Sequence, residues 1–125
     1  MSKFFKDAES KNIFYSFVSL DAIPDAPVLK ELNANHTDGA FEKHVPVIEI
    51  NGNQVHVSVG SVAHPMLEEH YITAIYLETK RGGQIRHLQP GEAPEATFLL
   101  AEGDEVVAAY EYCNLHGLWK AEIEA

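Results

Sequence analysis

Cys113 and His116 lie three residues apart, just past an apolar run that ends at Tyr112. A thiolate and an imidazole at that spacing, at a strand end, can reach one metal ion. His64-Pro65-Met66 and Glu68-Glu69-His70 form a second cluster, with two histidines six residues apart on a segment stiffened by Pro65. His44 stands in a third, Glu42-Lys43-His44-Val45-Pro46, which reads as a charged loop leading into a site. Each segment alone has an ordinary reading: a buried free cysteine with a histidine nearby, a polar loop, a charged loop. Together, His44, His64, His70, His116 and Cys113 offer four imidazoles and one sulfur to a redox-active metal. Zinc prefers four ligands in all. Five protein ligands leave one octahedral position open, which suits iron and one-electron chemistry, and a thiolate donates charge to the metal and labilises the ligand opposite it.

Two other readings stay open on spacing alone. A blue-copper electron carrier would use Cys113, two histidines and Met66 as axial ligand. No methionine follows Cys113, however, and two histidines would be left over. A non-catalytic zinc-binding β-sandwich is disfavoured by ligand number. His36, His56 and His87 read as surface residues, His56 because it alternates with the apolar face of Val55 and Val57.

The elements that must position these groups are short strands. Ile13–Leu20 is aromatic and β-branched, and Asp21–Pro27, with two prolines, ends it. Val28–Leu32 reads as one helical turn or a loop. Val45–Ile50 and Gln54–Val59 flank Asn51-Gly52-Asn53 and predict a hairpin. Tyr71–Thr79 turns at Arg81-Gly82-Gly83 into Gln84–Leu88. Ala96–Leu100 and Glu105–Tyr112 follow around Gly103-Asp104, and Leu118–Ile123 closes the chain. Seven or eight strands with little helix predict an all-β, antiparallel sandwich or barrel.

At 125 residues and 46% apolar, the chain has the size and content of one domain over 1–125, with residues 1–39 an N-terminal strand and loop and 40–125 bearing the motifs. Nine Lys and Arg against nineteen Asp and Glu give a net charge of −10, which argues against nucleic acid and anionic membrane surfaces as partners. The start turns acidic before an apolar signal region develops, and one lone thiol suits a reducing compartment. The expectation is a cytoplasmic protein.

The motif set resembles the superoxide reductases, of the single-domain type related to neelaredoxin and to the catalytic domain of desulfoferrodoxin. The residues that carry the resemblance are Glu42-Lys43-His44-Val45-Pro46, Val59-Gly60, His64-Pro65-Met66, Glu69-His70-Tyr71-Ile72 and Cys113-Asn114-Leu115-His116-Gly117-Leu118-Trp119-Lys120, in family order over about residues 40 to 125. The resemblance implies an immunoglobulin-like seven-stranded fold and a mononuclear Fe2+/Fe3+ centre. It places His44, His64, His70 and His116 in a plane around the iron, with Cys113 axial. It implies that Glu42 takes the sixth position once the iron is oxidised, and that Lys43 attracts superoxide and helps deliver a proton. Gly39 and Ala40, small residues before Glu42, suggest a loop that swings this carboxylate. A rubredoxin-like electron donor and a homo-oligomer, a homotetramer in several members, are implied partners. The chain departs from the family in two ways: one cysteine cannot bind a second, Fe(Cys)4 centre, and Ala74 stands where the family more often has a tryptophan.

Overall fold

The computed structural model describes residues 2–18 and 29–123. The turn expected at Asp21–Pro27 lies outside them. The chain forms two compact units, residues 1–33 and 34–125.

In the first unit, β1 (Phe4–Asp7) pairs antiparallel with β2 (Ile13–Tyr15) and with β3 (Leu29–Glu31), in the order β2-β1-β3. Two expectations change here. Of the strand predicted over Ile13–Leu20, Ile13–Tyr15 is strand and residues 16–18 are not. The helical turn or loop predicted at Val28–Leu32 holds strand β3, because pairing with Phe5–Asp7 satisfies its backbone better than a lone turn could.

The second unit is the seven-stranded sandwich that the sequence predicts. One sheet orders β10 (Gly117–Glu122), β9 (Val106–Cys113), β6 (Ile72–Thr79) and β7 (Gly82–His87); the other orders β4 (Pro46–Asn51), β5 (Gln54–Val59) and β8 (Glu95–Leu99). All pairings are antiparallel. The strict alternation of Gln54–Val59 buries Val55, Val57 and Val59 against Ile75, Leu77, Ala96, Phe98 and Ala109. Asn51 and Gln54 close the predicted hairpin, and Gly52 supplies a positive φ of 65°.

Two features aim this scaffold at one end. The β6–β9 pairing shifts register between Ile72 and Ala74, next to the Ile72–Cys113 pair. Such a bulge re-aims side chains; the Thr73 hydroxyl covers the irregularity by donating to the Tyr112 carbonyl at 3.0 Å. The second is a single helical turn, α1 (Phe41–His44), where a loop was expected. Its closing bond runs from Val45 N–H to Phe41 C=O at 2.9 Å. Pro46 then forces Val45 into extended backbone and starts β4.

Candidate metal centre

The five predicted ligands come from three connections at one end of the sandwich. His44 ends α1. The turn after β5 holds that helix by its backbone: Val62 N–H donates to Glu42 C=O at 2.9 Å, and Gly60 N–H to Val45 C=O at 3.2 Å. His64 and His70 sit on the β5–β6 connection, where Leu67 and His70 exchange two backbone bonds of 2.9 and 3.0 Å. Cys113 ends β9, opposite Gly117 of β10, and His116 lies in the three-residue loop between them.

Polar cross-links tie the connections together. Asn114 donates to Glu69 C=O at 3.1 Å and accepts from Tyr71 N–H at 3.0 Å, so the His70 and His116 segments are clamped. Segment 35–38 runs along β10. Asn35 bonds Lys120 through both side-chain atoms, Thr37 donates to the His116 carbonyl, and His116 Nδ1 lies 2.8 Å from the Asp38 carbonyl.

The four imidazoles form a closed ring. Centroids are 4.6 Å apart for His44–His64, 4.8 Å for His64–His70, 5.1 Å for His70–His116 and 4.9 Å for His116–His44. Neighbouring planes are inclined by 61° to 83°, so the rings stand edge to face around a common centre instead of stacking on one another. Nitrogen and sulfur atoms of His44, His64, His70 and Cys113 all lie within 4.8 Å of one another. His116 is outside that tightest group but closes the ring.

The donor atoms are unspent. His44 Nδ1, His64 Nε2 and His70 Nε2 are buried without a hydrogen-bond partner. A buried unpaired polar atom costs free energy; His44 Nδ1 faces the Glu111 carboxyl at 3.4 Å, while His64 Nε2 and His70 Nε2, on two neighbouring rings of the four, make a site with something missing. The His64 Nδ1 contact with Pro65 C=O, 2.7 Å, makes that nitrogen the protonated one and leaves Nε2 its lone pair. Neutral imidazoles around a fully buried thiol fit one soft-to-borderline metal ion, and four nitrogens with one sulfur fit iron better than zinc.

Electrostatics keep the imidazoles in their neutral, ligating form. Burial, then the neighbouring histidines and Lys43, pull His44 down to about 4. Burial is also the main cause holding His64 and His70 below the ordinary imidazole value. Burial pushes the Cys113 thiol up, while the backbone N–H groups of Leu115 and His116 pull the other way. These imidazoles stay neutral in the folded chain where an unfolded chain would bind protons, so stability is lost as pH falls from about 6.5 toward 4. Glu111 acts in the opposite sense, because its buried carboxyl keeps a proton that the unfolded chain releases, so the test is made on the histidine itself: in the iron-free protein the His44 ring resonances should titrate with a midpoint at about 4. A midpoint at the ordinary imidazole value would mean that His44 is solvated.

Three residues take places beside the ring that the sequence reading did not assign to them. Trp119, fully buried, stacks on His44 at 4.8 Å and 14° and donates to the His116 carbonyl at 2.9 Å. Gly39 packs close: a Cβ there would stand 2.9 Å from His44 Cδ2 and 3.1 Å from Trp119 Cζ2. Glu111 is 1% exposed, with Oε2 3.4 Å from His44 Nδ1 and neither oxygen hydrogen-bonded; burial raises its carboxyl well above the usual range. Its signal was an acid in an apolar strand, at the same parity as Cys113. Glu42 and Lys43 are exposed on α1. His56 is elsewhere, against Thr97 at 3.0 Å, and joins no part of the ring.

Comparison with known proteins agrees with this geometry. Residues 36–122 match the family described as desulfoferrodoxin. The chain is 53% identical over 94 residues to the desulfoferrodoxin of Nitratidesulfovibrio vulgaris, covering 75% of this chain and 73% of that one. It is 37% identical over 104 residues to the superoxide reductase of Pyrococcus horikoshii, covering 70% and 90%. The crystal structure of the superoxide reductase from Treponema pallidum superposes with a TM-score of 0.79 at 40% identity, over 98% of this chain and 99% of that one.

Proposed function

The chain belongs to the desulfoferrodoxin family, and from that premise we propose that it is a superoxide reductase with one iron held by His44, His64, His70, His116 and Cys113. It reduces superoxide to hydrogen peroxide, with one electron and two protons consumed per turnover. The observation that carries the reading is the closed ring of four imidazoles with unpartnered buried nitrogens beside a buried thiol. The iron, when bound, supplies the one-electron couple.

The chain's residues do the rest. Lys43 attracts the anion. It adjoins His44 on α1, which supports a place within electrostatic range of the ring. A local cation matters because the whole protein, at −10, repels anions, and salt screens distant charges within ~8 Å. Lys43 also orders the solvent that delivers protons. Glu42, exposed on the same turn, is the carboxylate that would serve as a further ligand to the iron. Cys113 would hold the iron through an anionic sulfur, whose charge would favour release of the product.

With one cysteine there is no Fe(Cys)4 centre. A rubredoxin-like protein returns the electron, and the chain works as a cytoplasmic homo-oligomer. Among the described residues no helix is long and apolar enough to cross a membrane. A blue-copper carrier would leave two imidazoles of the ring without a role.

Stoichiometry tests the reading: with a defined donor, one peroxide per superoxide identifies a reductase, and one per two a dismutase. Lys43→Ala should lower the second-order rate with superoxide about tenfold at low salt and flatten its salt dependence. An unchanged low-salt rate would remove Lys43 from the mechanism.

A further inference from the structure

The five donors are not held alike. Ligand atoms of His44, His64, His70 and Cys113 lie within 4.8 Å of one another, three of these residues buried and His70 partly so. His116 stands outside that group, although its ring closes the circle of imidazoles. Three bonds account for its place. A carbonyl can only accept, so His116 Nδ1 donates to the Asp38 carbonyl, at 2.8 Å. The His116 carbonyl in turn accepts from the Thr37 hydroxyl and from Trp119 Nε1, the latter at 2.9 Å. These partners belong to segment 35–38 and to β10, and none to the segments that carry His44, His64 and His70.

Three imidazoles and one thiolate are a complete donor set for a different ion. Zinc takes four nitrogen and sulfur ligands in a tetrahedron, whereas iron with an open position uses all five. Tetrahedral donors at zinc's bond lengths stand about 3.4 Å apart, so atoms already within 4.8 Å close on the ion by moving less than about 1 Å each. Thiolate ligands also favour zinc over Fe2+, which lies near the weak end of the divalent series. We propose that zinc binds this same site through His44, His64, His70 and Cys113 with His116 left unbound, as an inactive form in competition with iron, and that His116 is the ligand that separates the two metals. The proposal rests on the reading of the ring as an iron centre and names how metal supply regulates it. On binding, zinc gains the Cys113 thiolate and the thiol proton passes to solvent, with no electron transferred. Zinc has no redox couple, so the zinc form carries out no one-electron chemistry on superoxide. The fifth imidazole offsets zinc's advantage, and its loss should cost iron alone.

Two measurements on the full chain test this. Zinc K-edge absorption, edge and fine structure together, should show a tetrahedral ion with three nitrogens and one sulfur in the zinc-loaded wild type. The iron K-edge of the iron-loaded protein should show four nitrogens and one sulfur. Neither spectrum depends on a variant that folds. Competition with a metal chelator then gives the Zn2+ and Fe2+ affinities of the wild type, His116→Ala and His70→Ala, with circular dichroism reporting the fold. His116→Ala should lower Fe2+ affinity by at least about tenfold while keeping Zn2+ affinity within about threefold, and His70→Ala should lower both by at least about tenfold. Zinc on five donors in the wild type, or a His116→Ala variant whose zinc affinity falls as far as its iron affinity, overturns the proposal and leaves the iron reading standing. A wild type that retains neither metal against the chelator would instead overturn the iron centre itself, and the proposal with it.

Discussion

Replacing Cys113 with serine will abolish the visible thiolate band and the reductase activity while leaving the sandwich folded. The thiol is wholly buried at the end of β9, with N–H groups of Leu115 and His116 directed at the sulfur. Burial, with a smaller contribution from Glu111, raises its pKa, so without metal the group stays protonated, and iron must expel that proton to gain an anionic ligand. A serine hydroxyl has nearly the same shape but does not give up its proton under such conditions. The variant therefore loses the sulfur-to-iron absorption, and its iron retention against a chelator should fall by at least the ~10–100-fold seen when even supporting residues of metal sites are removed. Absorption spectra, iron per chain and peroxide yield check this, with circular dichroism reporting the fold. A serine variant that kept the band would show that Cys113 is not a ligand.

The second large effect is remote from any donor atom. Gly60→Ala should destabilise the protein by about 3 kcal/mol or more, against a typical total of roughly 5–15 kcal/mol. Gly60 has φ +84°, where a side chain costs ~1–2 kcal/mol. Its Cβ would also stand 2.4 Å from Val62 C=O oxygen, 2.7 Å from Glu42 C=O oxygen and 2.8 Å from the Lys43 carbonyl carbon. All three are backbone atoms, and the Val62–Glu42 and Gly60–Val45 bonds fasten them in place. Relief requires moving α1, which carries Glu42, Lys43 and His44. Iron affinity should fall along with the denaturation midpoint. Gly52→Ala is the control: it has φ +65° but nothing within 4 Å of a new Cβ, so it should cost only the backbone part, ~1 kcal/mol. Equal losses in the two variants would mean that the packing around Gly60 relaxes freely.

What could be read in advance follows from the range of the forces involved. The alternation of Val55, Val57 and Val59 and the Asn51-Gly52 turn are local signals, and the β4–β5 hairpin appears where they put it. The residue types and the order of the motifs also survive in the linear sequence, so the meeting of His44, His64, His70 and His116 near Cys113 could be expected from the family resemblance without coordinates. Strand β3 could not, because Leu29–Glu31 is ordinary in composition and is made a strand by β1. A four-residue helix carries too few residues for a period, which is why α1 read as a loop. Glu111 and Asn114 were hidden for another reason. Their importance lies in which segments they meet across the fold, His44 in one case and Glu69 with Tyr71 in the other.

The ring of imidazoles also has a topological meaning. His44, His64, His70, Cys113 and His116 are separated along the chain by twenty, six, forty-three and three residues. An ion held by all of them closes four loops at once, two of them long. Like a covalent staple, such a closure removes freedom from the unfolded chain, and longer loops lose more. Iron would therefore act as a multi-way cross-link, and the melting temperature should climb with iron occupancy. A calorimetric scan of iron-free and iron-loaded protein measures that difference directly. In a starved cell, chains without iron would be the first to unfold and be degraded, so iron supply would govern the lifetime of the protein as well as its turnover.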